Sequence, residues 1–427
     1  MILRRCKYII TQDYSRRILK DKDILIQDGI IVEIGENIRG DDEVIDCSDK
    51  IVMPGLINAH THSAMVLMRG FYDDAELDEW LRKIWSLERK LTPRIIRLAA
   101  KAAIYEMLAN GITGFLDMYF YPEEVAQVAK ELGIRVKLGY TIMDKVSTTS
   151  LDRRLKEVEE FILKYRNDPL VKPVINIHSI YTCTKNGIIE GYNLARKYNV
   201  DIHIHVSETR REVYECKKEY NVFPVEYLNM LGVLSENMIL VHLGWITSWE
   251  IELISRCNCK VVHCPTSNMK LATGGILPLL VMLDKGITVG LGTDSAASNN
   301  SLDMFIEMKN TILLQRHSFW SVDVKAQHAL DLATINGARI LGIKSGRIMK
   351  GYLADIIALN ANELNLNPLR EDNLISAIVY SATGLNVEFT IVNGRLVYSR
   401  EFRDRIVREL QTVYRELNEF ILKHSLS

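Results

Sequence analysis

Apolar and polar positions change rhythm along the chain, and the middle alternates short apolar runs with segments of helical periodicity. Strands that alternate with helices are typical of a parallel sheet. Eight such units within residues 54–346 predict an α/β fold, a (β/α)8 TIM-type barrel with its site at the C-terminal strand ends. The predicted strands are 55–59, 112–118, 135–141, 174–178, 202–206, 238–242, 260–263 and 287–291. A doubly wound sheet is the alternative, but no Gly-rich phosphate-binding turn follows an early strand.

Both ends of the chain carry β-hairpin patterns. Residues 23–35 alternate around Asp28-Gly29, and residues 388–399 alternate around Asn393-Gly394. We therefore predict a small β-sandwich domain built from residues 1–53 and 347–427, beside a barrel of residues 54–346. Apolar residues at helical spacing predict a final helix over 403–422, which leaves a homo-oligomer open.

Charge and composition narrow the classes of partner. The chain has 53 Lys plus Arg and 54 Asp plus Glu, a net charge of −1. This balance gives no bulk attraction to DNA or to an anionic membrane, so we expect neither nucleic acid nor membrane as a partner. The sequence shows no secretory signal and no uncharged apolar run of ~18 residues. Seven scattered cysteines favour reduced thiols and a cytoplasmic location.

Histidines cluster where the predicted strands end. Residues i and i+2 of a strand share one face, so the two imidazoles of NAHTHS can point into one site. Seven of the ten histidines lie at or near strand ends, and Asp294 follows the eighth strand in GLGTDSAAS. The seven are His60, His62, His178, His203, His205, His242 and His263.

Three imidazoles and a carboxylate suit a divalent ion such as zinc with a water in an open position. Two core histidines are the alternative for H-x-H alone. We expect His203 to hydrogen-bond a ligand from behind and His263 to be a packed strand end. Glu208 and His242 would stand beside the ion as proton carriers. The predicted ligands are His60, His62, His205 and Asp294.

Longer motifs around these residues resemble those of a known superfamily. PGLINAHTHSAMVLMRG resembles the first-strand motif of the amidohydrolases, and HVSET and GTDSAASNN resemble the motifs at strands five and eight. The tail segments TINGARILG, GYLADIIALN and VNGRLVY are similar as well. Within that superfamily the chain is most similar to the 5-methylthioadenosine/S-adenosylhomocysteine deaminase group and its chlorohydrolase relatives. LDEWLRKIWSLE resembles that group's substrate loop, with Ser86 where a proline is usual.

The resemblance implies roles for the site residues. The four predicted ligands would hold one divalent metal, usually Zn²⁺, with Fe²⁺ as the alternative. Glu208 would shuttle a proton to the purine ring, and His242 with Asp294 would help to activate the water. Glu88 would bind the ribose hydroxyls, and His178 would contact the nucleoside. INIHS offers no bridging lysine, which supports a mononuclear site.

The implied reaction is hydrolytic deamination of adenosines modified at the 5′ position, with a metal-activated water attacking C6. Candidate substrates are 5′-methylthioadenosine, S-adenosylhomocysteine, 5′-deoxyadenosine and adenosine. Trp80 and Trp85 could pack against the substrate or anchor a helix to the barrel rim. Binding a substrate carboxylate would need a cation, for which Lys145, Arg153 and Arg154 are candidates, although these are more often solvated helix charges.

Two alternatives use the same residues differently. The site could act on a free base such as guanine or cytosine, or as a chlorohydrolase. A barrel that has lost catalysis and serves as a scaffold is the third class, but all four predicted ligands and both proton carriers are present.

Overall fold

The computed structural model of the protein describes residues 1–40, 43–75 and 77–425. Its strands, numbered in chain order, are β1 (Ile2–Cys6), β2 (Tyr8–Ile10), β3 (Ile18–Leu19), β4 (Lys22–Gln27), β5 (Ile30–Gly35), β6 (Val44–Asp46), β7 (Lys50–Pro54), β8 (Leu56–Thr61), β9 (Ile112–Asp117), β10 (Arg135–Leu138), β11 (Thr141–Ile142), β12 (Val171–Ser179), β13 (Asp201–Val206), β14 (Met238–His242), β15 (Lys260–His263), β16 (Val289–Leu291), β17 (Ile356–Asn360), β18 (Val387–Val392) and β19 (Arg395–Ser399).

Strands β8 to β16 form a nearly closed parallel barrel. The sheet runs β8-β9-β10-β12-β13-β14-β15-β16, and the short strand β11 pairs with β12. The N–H of Asp294 donates to the carbonyl of His60 at 3.0 Å and links the last strand's end to the first strand. This arrangement confirms the predicted (β/α)8 barrel and excludes the doubly wound alternative.

Helices connect most of the barrel strands on the outside. They are α1 (Leu77–Glu88), α2 (Pro93–Ala109), α3 (Pro122–Leu132), α4 (Leu151–Tyr165), α5 (Lys185–Tyr198), α6 (Arg210–Tyr220), α7 (Pro224–Met230), α8 (Ser248–Arg256), α9 (Pro265–Lys270), α10 (Leu279–Asp284), α11 (Met304–Phe319), α12 (Ala326–Asp331), α13 (Gly337–Leu341), α14 (Leu374–Tyr380) and α15 (Arg403–Ser425). A π-helical turn, Leu332–Asn336, joins α12 to α13, and 3-10 turns lie at Ser63–Met68, Leu364–Leu366, Glu371–Asn373, Gly384–Asn386 and Arg400–Phe402.

Element bounds differ from the sequence prediction at a few places. Strand β8 continues to Thr61, so His60 lies within the strand and His62 just beyond its end. The third barrel strand is interrupted between β10 and β11. The apolar pattern predicts a helix over 276–285, but helix α10 begins only after Pro278, which occupies the N-cap position and has no backbone N–H to continue a helix toward its N-terminus.

The two chain ends meet in a pair of sheets beside the barrel. One sheet has the order β5-β4-β1-β6 and the other β19-β18-β17-β7-β2-β3. Strand β7 from the N-terminal end pairs antiparallel with β17 from the C-terminal end. A buried cluster that includes Leu3, Ile24, Val52 and Phe389 draws side chains from both sheets, as in a sandwich. The domain boundaries after residues 53 and 346 stay a prediction.

Turn chemistry accounts for both hairpins of this region. Asp28 and Gly29 have φ of 50° and 77°, and Asn393 and Gly394 have φ of 52° and 73°. Two successive left-handed residues form a type I′ turn, which matches the twist of paired strands and favours Asn-Gly or Asp-Gly. The predicted hairpins at 23–35 and 388–399 are therefore confirmed.

The C-terminal helix lies against the barrel rather than on the small sheets. Helix α15 contacts α2 and the 3-10 turn Ser63–Met68, and the Arg94 guanidinium donates to Glu416 at 2.7 Å. Its buried stripe comprises Ile406, Leu410, Val413, Leu417 and Phe420. Within the described ranges, no helix is long and apolar enough to cross a membrane.

Candidate active site

The C-terminal ends of β8, β13 and β16 bring the four predicted ligand residues together. The Nε2 atoms of His60 and His62 lie 3.6 and 3.4 Å from Asp294 Oδ1. The ring of His205 stands 4.9 Å from the ring of His60. His60, His62 and Asp294 each offer a ligand atom within 4.8 Å of the others, and so do His60, His205 and His242. The two groups share His60 at their centre.

A hydrogen-bond chain fixes the protonation of His60. The Asn176 amide donates to the carbonyls of Asp117 (3.1 Å) and Gly139 (2.9 Å), which leaves its Oδ1 to accept from His203 Nδ1 at 3.0 Å. His203 Nε2 must then accept, and it lies 2.9 Å from His60 Nδ1. His60 therefore carries its proton on Nδ1 and leaves the Nε2 lone pair bare. The predicted hydrogen bond between His203 and a ligand histidine is present, with His60 as the donor.

The other two imidazoles face the centre in the same way. His62 Nδ1 donates to the carbonyl of Met118, and His205 Nδ1 donates to the carbonyl of His178 at 2.7 Å. Burial lowers the pKa of His60 to about 4 and lowers the pKa of His205 well below its ordinary value. Neutral imidazoles with bare Nε2 atoms are the form that binds metals.

The side chains gathered at this site are suited to binding a divalent ion. His60 Nε2 is fully buried and has no hydrogen-bond partner among the described residues, and a buried nitrogen left without one is costly. Three imidazoles and one carboxylate form a ligand set that zinc and similar ions prefer.

Asp294 is held as an ionised carboxylate. Its Oδ1 accepts from the Ser295 N–H at 2.7 Å, and its Oδ2 accepts from the Ser267 hydroxyl at 2.6 Å. These two donated hydrogen bonds favour the ionised form of the buried carboxylate. Gly292 lets the chain before Asp294 pass close to the backbone of His60, because a Cβ on residue 292 would lie 2.7 Å from the carbonyl oxygen of His60.

Glu208 and His242 stand beside the cluster. His242 Nε2 lies 3.9 Å from Glu208 Oε2, and its Nδ1 lies 3.1 Å from Asn268 Oδ1. Burial raises the pKa of Glu208. Burial would lower the pKa of His242, but the carboxylate of Glu208 outweighs it and the pKa rises. At 3.9 Å the two atoms are not hydrogen-bonded, but the carboxylate of Glu208 favours the protonated form of His242.

Left-handed backbone occurs at three site positions. Ser207, His242 and Asp294 have φ of 52°, 76° and 59°. The left-handed conformation costs conformational free energy for residues other than glycine, and such positions are concentrated at functional sites. Here each one turns the chain sharply at the end of a barrel strand and aims a polar side chain inward.

Glu212 is a site residue that the sequence reasoning missed. Its carboxylate accepts the backbone N–H groups of Ser207 at 3.0 Å and Glu208 at 2.9 Å. It is buried, which raises its pKa to about 7. Glu212 therefore holds the turn that presents Glu208. The pattern Thr209-x-x-Glu212 is a capping-box signature that could have drawn attention to it.

An open cavity lies above the cluster. Glu88 lines it from α1 and accepts a hydrogen bond from the Tyr119 hydroxyl at 2.8 Å. Burial raises the pKa of Glu88. His178 lines the opposite wall, 5.0 Å from the ring of His205. Trp80 and Trp85 both line the cavity, so they belong to its wall as well as to the helix that covers the rim.

Arg153 is not brought to the cavity. Its guanidinium is exposed on α4 and pairs with Glu157 one turn along, at 3.1 Å. Arg154 pairs with the same carboxylate at 3.0 Å and lies over the ring of Tyr140. An acid three or four residues along a helix is a ready ionic partner, so both arginines pair within α4, Arg153 in solvent and Arg154 partly buried. The structure does not support a substrate contact for Arg153.

A (β/α)8 barrel with histidines and an aspartate gathered at its C-terminal strand ends defines a metal-dependent hydrolase. The chain belongs to the amidohydrolase family, which it matches over residues 51–397. Family membership and the donor set together support a divalent metal ion at this site.

Individual relatives cover nearly the whole chain. A 5-methylthioadenosine/S-adenosylhomocysteine deaminase of Pyrococcus furiosus is 44% identical over 381 residues, 88% of this chain and 90% of the relative. A 5′-deoxyadenosine deaminase of Methanosphaera stadtmanae is 42% identical over 89% of this chain and 90% of its own length. The crystal structure of an adenosine deaminase from Xanthomonas campestris with bound zinc superposes with a TM-score of 0.93 at 29% identity, covering 98% of both chains.

Proposed function

We propose that the protein hydrolytically deaminates adenosine derivatives modified at the 5′ position, giving the inosine derivative and ammonia. The candidate substrates are 5′-methylthioadenosine, S-adenosylhomocysteine, 5′-deoxyadenosine and adenosine. The observation that carries the proposal is one cavity that joins the histidine–aspartate cluster, Glu208 and Glu88. Relatives named for these activities at 42–44% identity support it.

His60, His62, His205 and Asp294 would hold one divalent ion, with Zn²⁺ proposed and Fe²⁺ as the alternative. Such an ion acidifies a water so that it can attack at neutral pH. The zinc-bound structure of the Xanthomonas campestris deaminase supports this choice of metal. The residue that follows INI near the C-terminal end of β12 is His178 and not a lysine, which supports a single ion.

Glu208 would move the protons of the reaction. Adding water at C6 places a hydroxyl on that carbon and a proton on the neighbouring ring nitrogen. Glu208 accepts this proton from the water and delivers it to the nitrogen. Loss of ammonia then needs the hydroxyl proton on the departing amino group. His242 Nε2, 3.9 Å from Glu208, donates toward the attacking oxygen and stabilises its charge.

Glu88 and His178 would bind the nucleoside. A carboxylate accepts two hydroxyl donors at once, which suits the ribose diol. A free base has no diol, so the alternative of a guanine or cytosine deaminase leaves Glu88 without a role. The chlorohydrolase alternative likewise has no better support from the relatives.

Glu208→Gln tests the proposal, with Glu160→Gln on the exposed face of α4 as the matched control. We expect Glu208→Gln to keep its metal content while ammonia release from 5′-methylthioadenosine falls about 10²–10⁴-fold. Glu160→Gln should match the wild type. Wild-type ammonia release that survives Glu208→Gln would contradict the role of Glu208.

Two further predictions stay with this proposal. The seven free cysteines are compatible with a cytoplasmic protein. A homo-oligomer stays open, and sedimentation of the purified protein would decide it.

A further inference from the structure

The side chains at the mouth of the active-site cavity differ in polarity from those on its floor. The floor carries the imidazoles and the carboxylates of Glu208 and Asp294. Of the cavity residues that are at least partly exposed, four are polar or charged: His62, Glu88, His178 and Glu208. The other five, which we call the mouth, are apolar or aromatic: Leu81, Trp85, Phe120, Met143 and Tyr181.

Cations are missing from this wall. Among the described residues, no lysine or arginine lines the cavity. The residues outside the described ranges are aspartate, glutamate, leucine and serine in the sequence, so they bring no cation either. Among the described residues, the formal charges that line the cavity are the carboxylates of Glu88, Glu208 and Asp294.

Three cations follow the third barrel strand, and two of them are paired with a carboxylate. Arg153 and Arg154 both pair with Glu157 on their own helix. Among the described residues Lys145 pairs with no carboxylate; it is exposed, and its Nζ lies 3.4 Å from the carbonyl oxygen of Ile180, beside Tyr181. A substrate carboxylate at the mouth would therefore lose water against a described wall that contains no lysine or arginine, which is unfavourable unless Lys145 reaches it.

The chemistry of the substrate sets which of its groups meets this mouth. The C6 amino group must lie at the cluster, and the 5′ carbon is at the opposite end of a nucleoside. With the ribose at Glu88, the 5′ substituent points toward the apolar mouth. We infer that the protein selects adenosines whose 5′ substituent is small and uncharged, and discriminates against a 5′ amino-acid group. This inference rests on the proposed function.

Relative catalytic efficiency tests this selectivity. We expect kcat/KM for 5′-methylthioadenosine and for 5′-deoxyadenosine to exceed that for S-adenosylhomocysteine by tenfold or more, measured as ammonia release by the metal-loaded protein. A ratio below ten would overturn the inference while leaving the proposed function intact. Release of no ammonia from any of the three nucleosides would overturn both.

Two variants locate the cause of the selectivity. Met143→Arg adds a cation at the mouth and should reduce the ratio at least threefold relative to Met143→Gln, the uncharged control. Lys145→Met should leave the ratio unchanged. A selective loss of S-adenosylhomocysteine turnover in Lys145→Met would show that this amine binds the carboxylate and would overturn the inference.

Discussion

Replacing His203 with phenylalanine tests the hydrogen-bond chain behind His60. The substitution keeps a planar ring on β13 but removes the acceptor for His60 Nδ1, which lies 2.9 Å away in the wild type. His60 itself is fully buried, so no solvent can take the place of that acceptor. Its ring then has no group that fixes the proton on Nδ1 and keeps Nε2 bare for the metal.

The expected loss of metal affinity follows from the free-energy cost of a buried hydrogen-bond donor without an acceptor, about 1–3 kcal/mol. At about 1.4 kcal/mol for each factor of ten, metal binding should weaken about 10–100-fold. His203→Gln should recover most of this affinity, because the glutamine Oε1 can accept where the imidazole Nε2 did.

Competition with a metal-sensitive chelator measures the Kd of each variant. His263→Phe is the matched control, since His263 is another buried strand-end histidine and its Nε2 has no hydrogen-bond partner within the described residues. Its Kd should stay within about threefold of the wild type. The reasoning fails if His203→Phe binds zinc as tightly as His263→Phe does.

Three further predictions concern residues around and beneath the site. Glu212→Gln should lower kcat about tenfold at unchanged metal content, because an amide oxygen holds the two N–H groups that position Glu208 less well than a carboxylate; steady-state kinetics check this, and an unchanged kcat would contradict it. Asp355→Ala should lower the free energy of unfolding by about 3–5 kcal/mol in urea, because it strips the buried Arg135 of a bidentate partner at 2.8 and 3.1 Å. Burial raises the pKa of Glu307 from 4.5 to about 8, so the native state binds one more proton than the unfolded chain between these values. Stability should therefore fall as pH rises from about 4.5 to about 8 and level off above that, and this contribution should vanish in Glu307→Gln.

Local patterns carried much of the fold. Each barrel strand is a short apolar run between helical segments, and both hairpins contain an Asp-Gly or Asn-Gly pair whose left-handed conformation is required at the turn. The position of the histidines also followed from local pattern, because a strand fixes which residues reach its C-terminal end. His60 and Asp294 could therefore be grouped before any contact between them was known.

Hydrogen bonds between residues that are far apart in the chain could not be predicted from the sequence. Nothing local links Asn176 to His203, or Tyr119 to Glu88, because each contact joins different strands or loops of the barrel. Their pairing depends on the register of the sheet, which one chain's residue pattern does not specify.

For two residues, the sequence contained a signal that the prediction did not use. Arg153 was assigned to the substrate although Glu157 follows it by four residues, the spacing of a helical ion pair. Glu212 stands three residues after Thr209, as in a helix cap, yet its carboxylate reaches past the cap to the N–H groups of Ser207 and Glu208. The spacing indicated the helix start but not that use.

Ammonia release from 5′-methylthioadenosine by the metal-loaded protein tests the central claim most directly. One ammonia should appear for each nucleoside consumed, the product should be the intact inosine derivative, and removal of the metal should abolish the reaction. Free adenine as the product, or full activity after metal removal, would contradict the account.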